Sequence, residues 1–582
     1  MTNSSILEVG TLSLDVLDRL PAHRDDVALA RRVDGRWHDI TLGQFHAEVI
    51  AVAKGLIASG VSLGDRVAVL SKTRYEWTVV DYAIWWIGAV TVPIYETSAV
   101  AQIEWILSDS GAVAAIVEAP DHRDRVEQAR SSCPDLRHVW TIEDPAEPVG
   151  GVDRIVAAGA DVTDEAVEAL RSQVLPESLA TLIYTSGTTG RPKGCRLTHG
   201  NFRSELAGAI EQLPELFDRD GASTLLFLPL AHVFARIIQV GAIRSGAKLG
   251  HTADVKDLVE HLGQFRPTFV LAVPRVFEKV FNTASTRAYA DGKGKIFDQA
   301  VSTAIAYSRA LDDGRPGLVL RLRHALFDRL VFGKLRGALG GQAEWAISGG
   351  APLGDRLAHF YRGIGVTVLE GYGLTETTAA LCVNTPSEQR IGTVGRPFPG
   401  TEVRRGSDGE LWFRGPQVFD GYWNNPEATA AAIDADGWFA TGDLGDVDAD
   451  GFVRITGRKK EILVTAGGKN VAPAALEDRM RAHPYISQAL VVGDGKPFIA
   501  ALVTIDPEGW TGALDDPELT AAVQSAVDEA NSQVSQAESI RKFVILPEDW
   551  TEENGYLTPS FKVKRNAIMR DFHDVVEGLY AR

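Results

Sequence analysis

Cysteine is scarce in this chain of 582 residues. The three cysteines, Cys133, Cys195 and Cys382, lie far apart and form neither a Cys-x-x-Cys pair nor a regularly spaced set. Because disulfide frameworks and zinc clusters both need spaced sets of thiols, neither is predicted. A reducing compartment is therefore expected, and the cytoplasm fits best.

Positive charge is also in deficit, because 59 Lys and Arg stand against 77 Asp and Glu and leave a formal net charge of −18. Broad electrostatic binding to nucleic acid requires a basic face, so no nucleic acid partner is expected. An anionic ligand must instead be bound by a local cluster of donors.

Long apolar runs are missing as well. The N-terminus, MTNSSILEVGTLSLD, has no basic segment followed by an apolar one, so no secretory signal is predicted. The most apolar stretch, residues 79–95, is interrupted by Asp81, Gly88 and Pro93 and is short for a bilayer span of ~20 residues. It is predicted to be a buried helix that runs into a strand. No fixed-period repeat is found, which argues against solenoids and propellers.

The hydrophobic pattern that is present predicts an α/β fold. Helical stretches such as GQFHAEVIAVAKGLIASG alternate with short apolar strands such as DRVAVLS, AAIVEA and ATLIYTSG, which is typical of layered parallel sheets. One core rarely exceeds ~250–300 residues, so at least two domains are expected. We predict a large N-terminal body of several subdomains, residues 1–457, and a small mobile α+β lid, residues 458–582. The charged segment TGRKK lies at that boundary.

The segment LVLRLRHALFDRLVFGKLRG, residues 318–337, stands out in this acidic chain. One helical face carries Leu318, Leu322, Leu326 and Leu330, and basic residues surround it: Arg321, Arg323, Arg329, Lys334 and Arg336. Two interpretations stay open. The segment is either an interfacial helix that makes a peripheral membrane contact, or a helix that packs on the protein's own core and exposes a basic side to solvent.

A loop rich in glycine and hydroxyl groups follows a buried strand at YTSGTTGRPKG, residues 184–194. Such a loop is suited to hold phosphate, since glycines let backbone N–H groups approach anionic oxygens while hydroxyls and a cation add donors. The residues concerned are Thr185, Ser186, Gly187, Thr188, Thr189, Gly190 and Lys193. It is not a Walker A loop, because Gly194 stands where Ser or Thr must follow the lysine.

The loop resembles the phosphate-loop signature of the acyl-adenylate-forming superfamily, which contains acyl-CoA synthetases, luciferases and the adenylation domains of peptide synthetases. Further segments resemble the motifs of that superfamily in the same order: SGGA at 348–351, EGYGLTE at 370–376, WFATGD at 438–443, GRKKE at 457–461 and LTPSFKVKR at 557–565. The resemblance extends from about residue 30 to residue 565. It implies that the N-terminal body binds ATP and the acyl substrate, and that the lid moves over them.

The resemblance also implies roles for individual residues. The adenine is expected to be lined by Ser348, Gly349, Gly350, Gly371, Tyr372, Gly373 and Thr375. Glu376, with Thr185, is assigned to Mg²⁺, which prefers oxygen ligands. Asp443 is expected to accept hydrogen bonds from the ribose hydroxyls, and Arg458 is expected to contact ribose or phosphate.

Lys562 is the predicted catalytic cation of the first step. When a carboxylate attacks the α-phosphate of ATP, a positioned ammonium stabilises the charge that spreads over the phosphoryl oxygens. Lys564 and Arg565 lie nearby, but the spacing of Lys562 from Thr558 matches the resemblance. The family's usual Ser-Gly before this lysine is replaced here by Ser-Phe at 560–561.

The resemblance further implies two orientations of the lid. Lys460 occupies the place of the pivot residue, and a rotation about it would exchange Lys562 for the glycine turn 465–469, whose backbone could line a channel for coenzyme A.

The segments LPLAHVFAR, residues 228–236, and VPRVFEK, residues 273–279, resemble acyl-pocket motifs of bacterial long-chain fatty acyl-CoA synthetases. His232 and Phe234 are therefore expected to gate the carboxylate end of the acyl chain, with His232 counted among the catalytic residues. A purely structural buried histidine is the alternative. Some long-chain relatives carry an aromatic gate where this chain has Arg236.

The expected reaction is the ATP-dependent conversion of a long-chain fatty acid and coenzyme A into acyl-CoA, AMP and pyrophosphate. Three alternatives stay open: a fatty acyl-AMP ligase that loads a carrier protein, a synthetase for aryl or short acids, and a catalytically degenerate nucleotide-binding module. The presence of Lys562, Glu376 and Asp443 argues against the last.

Overall fold

A computed structural model describes residues 10–146, 150–185, 191–253, 257–558 and 561–581. They form the mixed α/β fold that the alternating pattern predicts. The N-terminal strands are β1 (Val27–Val33), β2 (Arg36–Thr41), β3 (Arg66–Leu70), β4 (Val90–Ile94), β5 (Ala112–Val117), β6 (His138–Thr141), β7 (Leu179–Thr185), β8 (Lys193–Thr198), β9 (Ser223–Leu226), β10 (Lys248–His251), β11 (Phe269–Ala272), β12 (Trp345–Ser348), β13 (Thr367–Tyr372), β14 (Cys382–Val383) and β15 (Arg396–Pro397). The later strands are β16 (Glu402–Arg405), β17 (Glu410–Arg414), β18 (Phe439–Val447), β19 (Val453–Arg458), β20 (Leu463–Val464), β21 (Asn470–Val471), β22 (Ile486–Val492), β23 (Ile499–Ile505) and β24 (Ile540–Ile545).

The helices of the first half are α1 (Leu14–Leu17), α2 (Leu20–His23), α3 (Leu42–Ala58), α4 (Tyr75–Trp86), α5 (Val100–Ser110), α6 (Pro120–Ala129), α7 (Gly151–Ala158), α8 (Asp164–Arg171), α9 (His199–Gln212), α10 (Pro214–Phe217), α11 (Val233–Ser245), α12 (Leu258–Phe265), α13 (Pro274–Ala290) and α14 (Gly294–Asp312). The remaining ones are α15 (Leu318–Phe327), α16 (Gly333–Ala338), α17 (Asp355–Gly363), α18 (Pro426–Ala432), α19 (Pro473–Arg481), α20 (Pro517–Asn531), α21 (Arg565–Asp571) and α22 (His573–Tyr580). A π-helical turn, Asp328–Phe332, joins α15 to α16.

The largest sheet has the strand order β6-β5-β3-β4-β7-β8 and is parallel except for β8, which runs antiparallel to β7. Its inner strands, such as β3 and β5, are apolar and buried on both faces, as expected for strands covered by helices. The apolar stretch 79–95 falls in the buried helix α4 and the buried strand β4, which confirms the prediction for it.

Two further sheets belong to the N-terminal body. One has the order β2-β1-β10-β9. In the other, β11, β12 and β13 are parallel, with Ala272 paired to Ser348 and Ser348 paired to Glu370. Because parallel strands end at the same edge of a sheet, the segments after Ser348 and Glu370 are brought side by side.

From Glu402 onward the chain forms the antiparallel sheet β16-β17-β18-β19, and Asp-Gly turns lie between or before its strands. Gly409, Gly437 and Gly451 take φ values of +85°, +80° and +85°, which only glycine adopts without strain. Beyond it, β22, β23 and β24 form a three-stranded sheet packed with α19 and α20.

The hydrophobic core is divided. One large cluster of buried side chains runs from Leu12 to Phe439, whereas the clusters of the C-terminal part draw only on residues 463–579. Phe561 is half-buried and packs against both the large cluster and a C-terminal one. The boundary between residues 457 and 458 stays a prediction.

The segment 318–337 does not pack its leucine face on the core. Leu318, Leu322, Leu326 and Leu330 are all more than half exposed, so the leucine face is not the one that packs on the core, although the helix does pack there and its basic side chains are exposed. The segment docks on the body through Phe327, Phe332 and Leu335, which are buried. None of the helices in the described ranges is both long and apolar enough to cross a bilayer.

Candidate active site

A cavity of about 740 Å³ lies between the body and the C-terminal unit. Its wall is built from the ends of β7, β12 and β13, from α9 and α11, and from the loop that carries Lys562. Predicted site residues on this wall are Thr185, Lys193, His232, Gly349, Gly350, Gly371, Tyr372, Gly373, Thr375, Glu376, Arg458 and Lys562. The segments that the sequence analysis treated separately therefore meet around one space.

The predicted phosphate loop leaves β7 at Thr185 and re-enters the sheet at Lys193, the residue paired with Thr185. Its middle, Ser186, Gly187, Thr188, Thr189 and Gly190, lies outside the described residues. The return is held in place by Trp105, whose Nε1 donates to the Pro192 carbonyl (2.8 Å) and whose ring lies under Arg191 (4.6 Å). The loop is thus anchored at both ends by the sheet.

Glu376 is positioned by a tight turn after β13. A Cβ on Gly373 would lie 1.4 Å from the Ala379 carbonyl oxygen, so only glycine fits there. Thr378 and Ala379 themselves take positive φ values of 59° and 110°. This strained backbone is typical of functional loops and presents Glu376 to the cavity.

Tyr422 connects the two ends of this polar cluster. Its hydroxyl donates to Glu376 Oε1 (2.9 Å), and Lys193 Nζ lies 4.8 Å from the centre of its ring. Burial and the Glu376 carboxylate raise the pKa of Tyr422 well above its usual range, so the hydroxyl keeps its proton. The phosphate loop and the predicted metal ligand are therefore held by one aromatic side chain.

Asp443 is buried (4% exposed) between Tyr372 and Arg458. The Tyr372 hydroxyl donates to Oδ2 (2.6 Å) and Arg458 Nε donates to Oδ1 (2.9 Å). The pairing of β18 with β19 sets Asp443 opposite Arg458. Burial and the nearby carboxylate raise the pKa of Tyr372 well above its usual range. A carboxylate bound on both oxygens is fixed in orientation, yet each oxygen keeps a lone pair for a further donor.

The strand end at β12 supplies the next wall. Ser348 is buried (1% exposed), and its Oγ has no partner within the described part of the chain. Gly349 packs against the Phe234 ring, where an added Cβ would lie 3.1 Å from Cζ. Gly350 is exposed to the cavity. The glycines thus allow a flat ligand to approach the backbone closely.

Lys562 reaches this wall from the C-terminal unit. A Cβ at position 350 would lie 3.6 Å from its Cε and 3.8 Å from its Nζ. The side chain is exposed to the cavity. Desolvation by the surrounding protein and the positive charge of Arg458 lower the pKa of its ammonium, whereas the charge of Asp443 opposes this shift. A lysine at the end of the chain is therefore placed inside the site.

Two hydrogen bonds join Thr558 to Lys562. The Thr558 N–H donates to the Lys562 carbonyl (2.8 Å), and the Lys562 N–H donates to Thr558 Oγ1 (3.0 Å). Phe561 takes a φ of +59°. Glycine adopts this left-handed conformation more easily than any other residue. Phe561, which stands in place of the family's usual glycine, therefore adds a side chain but keeps a backbone conformation typical of glycine.

His232 caps the start of α11, where its Nδ1 accepts the Phe234 N–H (3.2 Å). Burial, together with the Lys562 ammonium, lowers the pKa of His232 to about 3. The ring is therefore neutral at physiological pH. Because Nδ1 is the acceptor, the proton is assigned to Nε2, which makes that atom a donor.

Part of the cavity wall is apolar. It is formed by α9 and α11 with neighbouring aromatic residues: Leu206, Ala209, Leu213, Phe217, Val233, Phe234, Ile237 and Ile238. Arg236 does not belong to it. Its guanidinium is fully buried and donates to Asp81 Oδ1 and Thr181 Oγ1, both at 2.5 Å. Arg236 is thus part of an internal ion pair, and Phe234 is the aromatic side chain at this edge of the cavity.

Two family models match consecutive parts of the chain: "AMP-binding enzyme" over residues 18–423 and "AMP-binding enzyme C-terminal domain" over residues 460–582. The chain belongs to the AMP-binding enzyme family.

Relatives within the AMP-binding enzymes are similar over nearly their whole length. The long-chain-fatty-acid–CoA ligases FadD15 of Mycobacterium bovis and Mycobacterium tuberculosis are each 52% identical over 575 residues, which cover 96% of this chain and 95% of theirs. The peroxisomal long chain acyl-CoA synthetase 7 of Arabidopsis thaliana is 30% identical over 624 residues, covering 99% of this chain and 87% of its own.

Solved structures of other AMP-binding enzymes share the fold at lower identity. The anthranilate CoA ligase AuaEII in complex with anthranoyl-AMP superposes with a TM-score of 0.76 at 20% identity and covers all of both chains. ATP-bound MatB from Rhodopseudomonas palustris gives a TM-score of 0.72 at 24% identity, covering 97% of this chain and 99% of its own. These neighbours establish that the arrangement of sheets is that of the family.

Two residues of this AMP-binding enzyme were missed by the sequence analysis. One is Tyr422, which lies in the segment FDGYWNNP and carries no signal beyond an aromatic residue in a polar loop. The other is Glu205 on α9, which is buried (2% exposed) and accepts the Ala380 N–H (2.8 Å). Burial raises the pKa of Glu205 well above its usual range, which favours its protonated form. A lone Glu in an amphipathic helix gives no hint of such burial.

Proposed function

We propose that this AMP-binding enzyme activates long-chain fatty acids with ATP and transfers the acyl group to coenzyme A. In the first step the carboxylate attacks the α-phosphate, which gives acyl-AMP and pyrophosphate. In the second step the thiol of coenzyme A attacks the acyl carbonyl, which gives the thioester and AMP. The 52% identity to FadD15 over 96% of the chain supports the choice of acid and acceptor.

One observation carries the proposal: a single cavity combines a cluster of charged residues with an apolar wall. Lys193, Glu376 and Lys562 form the charged part. Leu206, Leu213 and other aliphatic side chains of α9 and α11 form the apolar part. A ligand that fits both is an amphiphile with an anionic head, and an acyl-adenylate has that character.

Lys562 is proposed to act in the adenylation step. Its ammonium lies beside Gly350 and close enough to Asp443 and Arg458 for their charges to shift its pKa. In this partly enclosed space an ammonium stabilises developing phosphoryl charge more strongly than it would in bulk water. We assign catalysis to Lys562 and nucleotide orientation to Asp443 and Arg458.

His232 is proposed to hold the carboxylate end of the fatty acid. The Nε2–H of its neutral ring can donate to a carboxylate or to the carbonyl of the adenylate. Since the imidazole is uncharged, it orients the substrate without competing with Lys562 for the phosphate. Phe234 closes the adjacent edge.

Mg²⁺ is proposed to bind at Glu376, with Thr185 beside it. Tyr422 occupies one carboxylate oxygen of Glu376, which leaves the other as a ligand. No cluster of three or more His, Cys or acidic side chains that could hold a metal occurs in the described ranges. The ion would thus take its other ligands from phosphates and water, as Mg²⁺ commonly does. When bound, it neutralises charge on the triphosphate.

The second step is proposed to use another orientation of the C-terminal unit, residues 458–582. Lys460, on the cavity wall, is the proposed pivot. The hairpin turn between β20 and β21 is closed by the Thr465 N–H, which donates to the Lys469 carbonyl (3.0 Å), and its glycines are exposed. A rotation that removes Lys562 would let this turn face the adenylate and admit coenzyme A.

The working compartment is proposed to be the cytoplasm. The three cysteines are free and buried. Unpaired thiols persist where glutathione and thioredoxin keep them reduced.

The proposal is tested by incubating the protein with palmitate, ATP and Mg²⁺, with and without coenzyme A. With coenzyme A the expected products are pyrophosphate, AMP and palmitoyl-CoA. Without coenzyme A they are pyrophosphate and palmitoyl-AMP. Adenylate that accumulates even with coenzyme A would instead indicate a ligase that loads a carrier protein. The absence of pyrophosphate with acids of every chain length would indicate a nucleotide-binding module without turnover.

A further inference from the structure

An unpartnered row of apolar side chains lies on the outer face of α15 and the π-helical turn that follows. Leu318, Val319, Leu322, Leu326 and Leu330 are between 52% and 81% exposed. Their spacing places all five within one stripe of the helix. Scattered exposed leucines need no explanation, but a continuous row of five marks an interaction surface.

The row is not an accident of a loosely attached helix, because the opposite face is firmly docked. Phe327, Phe332 and Leu335 are buried. His324 stacks on the Tyr307 ring (3.8 Å between centroids) and shares a hydrogen bond of 2.6 Å with the Gly363 carbonyl. The leucines therefore remain outside when the helix has made its contacts with the body.

Basic side chains flank the apolar row. Between residues 315 and 337 the sequence holds six Arg or Lys and a single acidic residue, Asp328. That carboxylate is already bound by Arg336 (2.6 Å). Arg321, Arg323 and Arg329 are exposed beside the row. The surface thus has a charge opposite to that of the chain as a whole, whose net charge is −18.

We propose that α15 and the following turn, residues 318–332, dock the enzyme on an anionic lipid bilayer. A helix that lies flat, with leucines on one side and arginines along the edges, buries its apolar stripe at the level of the headgroups while the cations bind lipid phosphates. A second copy of the chain fits less well, because a two-fold interface would set the same arginines against each other. This docking is independent of which acid the enzyme activates.

The test uses the full chain and vesicles of phosphatidylcholine alone or mixed with phosphatidylglycerol. The protein is expected to co-sediment with the mixed vesicles, and high salt is expected to release it in part because the charges are screened. Leu322→Glu/Leu326→Glu is expected to lose at least ~10-fold in binding, because it places carboxylates against anionic lipid. Arg321→Gln/Arg323→Gln is expected to lose the preference for anionic vesicles.

Leu175→Glu is the matched control, because Leu175 is equally exposed (58%) but lies outside this row. It is expected to bind vesicles like the wild type. Thermal melting and acyl-CoA synthesis without vesicles verify that every variant is folded, since all the changed side chains are exposed. The proposal would be overturned if the wild-type protein did not co-sediment with mixed vesicles, or if the wild type and the double Leu variant bound them equally. A dimer, seen by light scattering, that the double Leu variant dissociates would also overturn it.

Discussion

At the polar end of the cavity, tyrosine hydroxyls form hydrogen bonds with carboxylates that are distant from them in the sequence. Tyr422 lies 46 positions from Glu376, and Tyr372 lies 71 positions from Asp443, yet each pair is joined by a hydroxyl-to-carboxylate hydrogen bond. Such bonds fix the direction in which each carboxylate points. The orientation of both carboxylates therefore depends on tyrosines that are distant from them in the sequence.

Tyr422→Phe tests that dependence. The ring would remain under Lys193 while the bond to Glu376 is lost, and a hydrogen bond to a charged group is worth ~1.5–3 kcal/mol, which corresponds to ~10- to 100-fold in kcat/KM for ATP. Steady-state kinetics at several Mg²⁺ concentrations measure the loss. Tyr289→Phe is the control, since that hydroxyl also donates to a carboxylate, Asp298, but on the surface. Equal kinetics for both variants would remove Tyr422 from the site.

The charge on Lys562 should be visible in the pH dependence of adenylation. Because enclosure lowers its pKa, the ammonium is lost as pH rises through a value below 10.5, and pyrophosphate release should fall with it. Lys562→Arg should keep its charge and lose this alkaline limb, because the pKa of a guanidinium exceeds ~12. Lys562→Ala should be slow at every pH by ~10²-fold or more. An unchanged alkaline limb in Lys562→Arg would assign it to another group.

At the scale of elements, the ends of parallel strands and the turns after them build the site. The loop after β13 is a clear case, because Gly373 lies directly beneath the Ala379 carbonyl. The buried carboxyl of Glu205 on α9 supports the same loop at Ala380. A strand end, a glycine turn and a helix together set the position of Glu376.

Gly373→Ala is expected to disrupt this loop. A methyl group 1.4 Å from a carbonyl oxygen forces the backbone to move, and ATP-dependent turnover should fall by ~100-fold or more as Glu376 is displaced. Gly263→Ala in α12 is the control, because nothing lies within 4 Å of its Cβ and alanine raises helix stability by up to ~1 kcal/mol. Turnover and thermal melting of both variants provide the comparison. Normal turnover in Gly373→Ala would show that the loop is not constrained.

At the scale of the whole molecule, the two units are held together by polar contacts beside the cavity. Arg275 on α13 donates to the Ser487 carbonyl (3.1 Å) and to Ser487 Oγ (2.9 Å). Arg356 Nη2 donates to the Ala482 carbonyl (3.1 Å). These bonds belong to the orientation that places Lys562 in the site, and a rotated lid would have to break them.

Arg275→Ala is expected to favour the rotated orientation. Loss of two hydrogen bonds made by a charged donor should slow pyrophosphate release by about tenfold, while thioester formation from supplied palmitoyl-AMP stays equal or becomes faster. The two half-reactions are measured separately in stopped assays. Lys279→Ala is the control, since its ion pair with Glu508 spans the same interface (3.3 Å) but is exposed and is worth ~1 kcal/mol or less. Equal slowing of both half-reactions by Arg275→Ala would argue against a role in lid orientation.

Much of the fold followed from local patterns. The apolar run 79–95 forms a buried helix and a buried strand, because the lengths of its two apolar stretches match the lengths of those elements. The Asp-Gly dipeptides of the antiparallel sheet lie in turns for an equally local reason, because glycine adopts their positive φ without strain. The predicted contacts of the phosphate-loop centre, Ser186 to Gly190, lie outside the described residues and stay predictions.

The predicted phosphate loop, the predicted adenine segment and the Lys562 loop are each short stretches with their own residue types, so local sequence was enough to indicate the chemistry of this protein. Packing between distant elements sets which of these stretches meet, and it brings Tyr422 and Glu205 to them. It also decided that the leucines of α15 face outward. Helical periodicity predicts which residues share a face of a helix. Which part of the protein covers that face depends on packing between elements that are far apart in the chain.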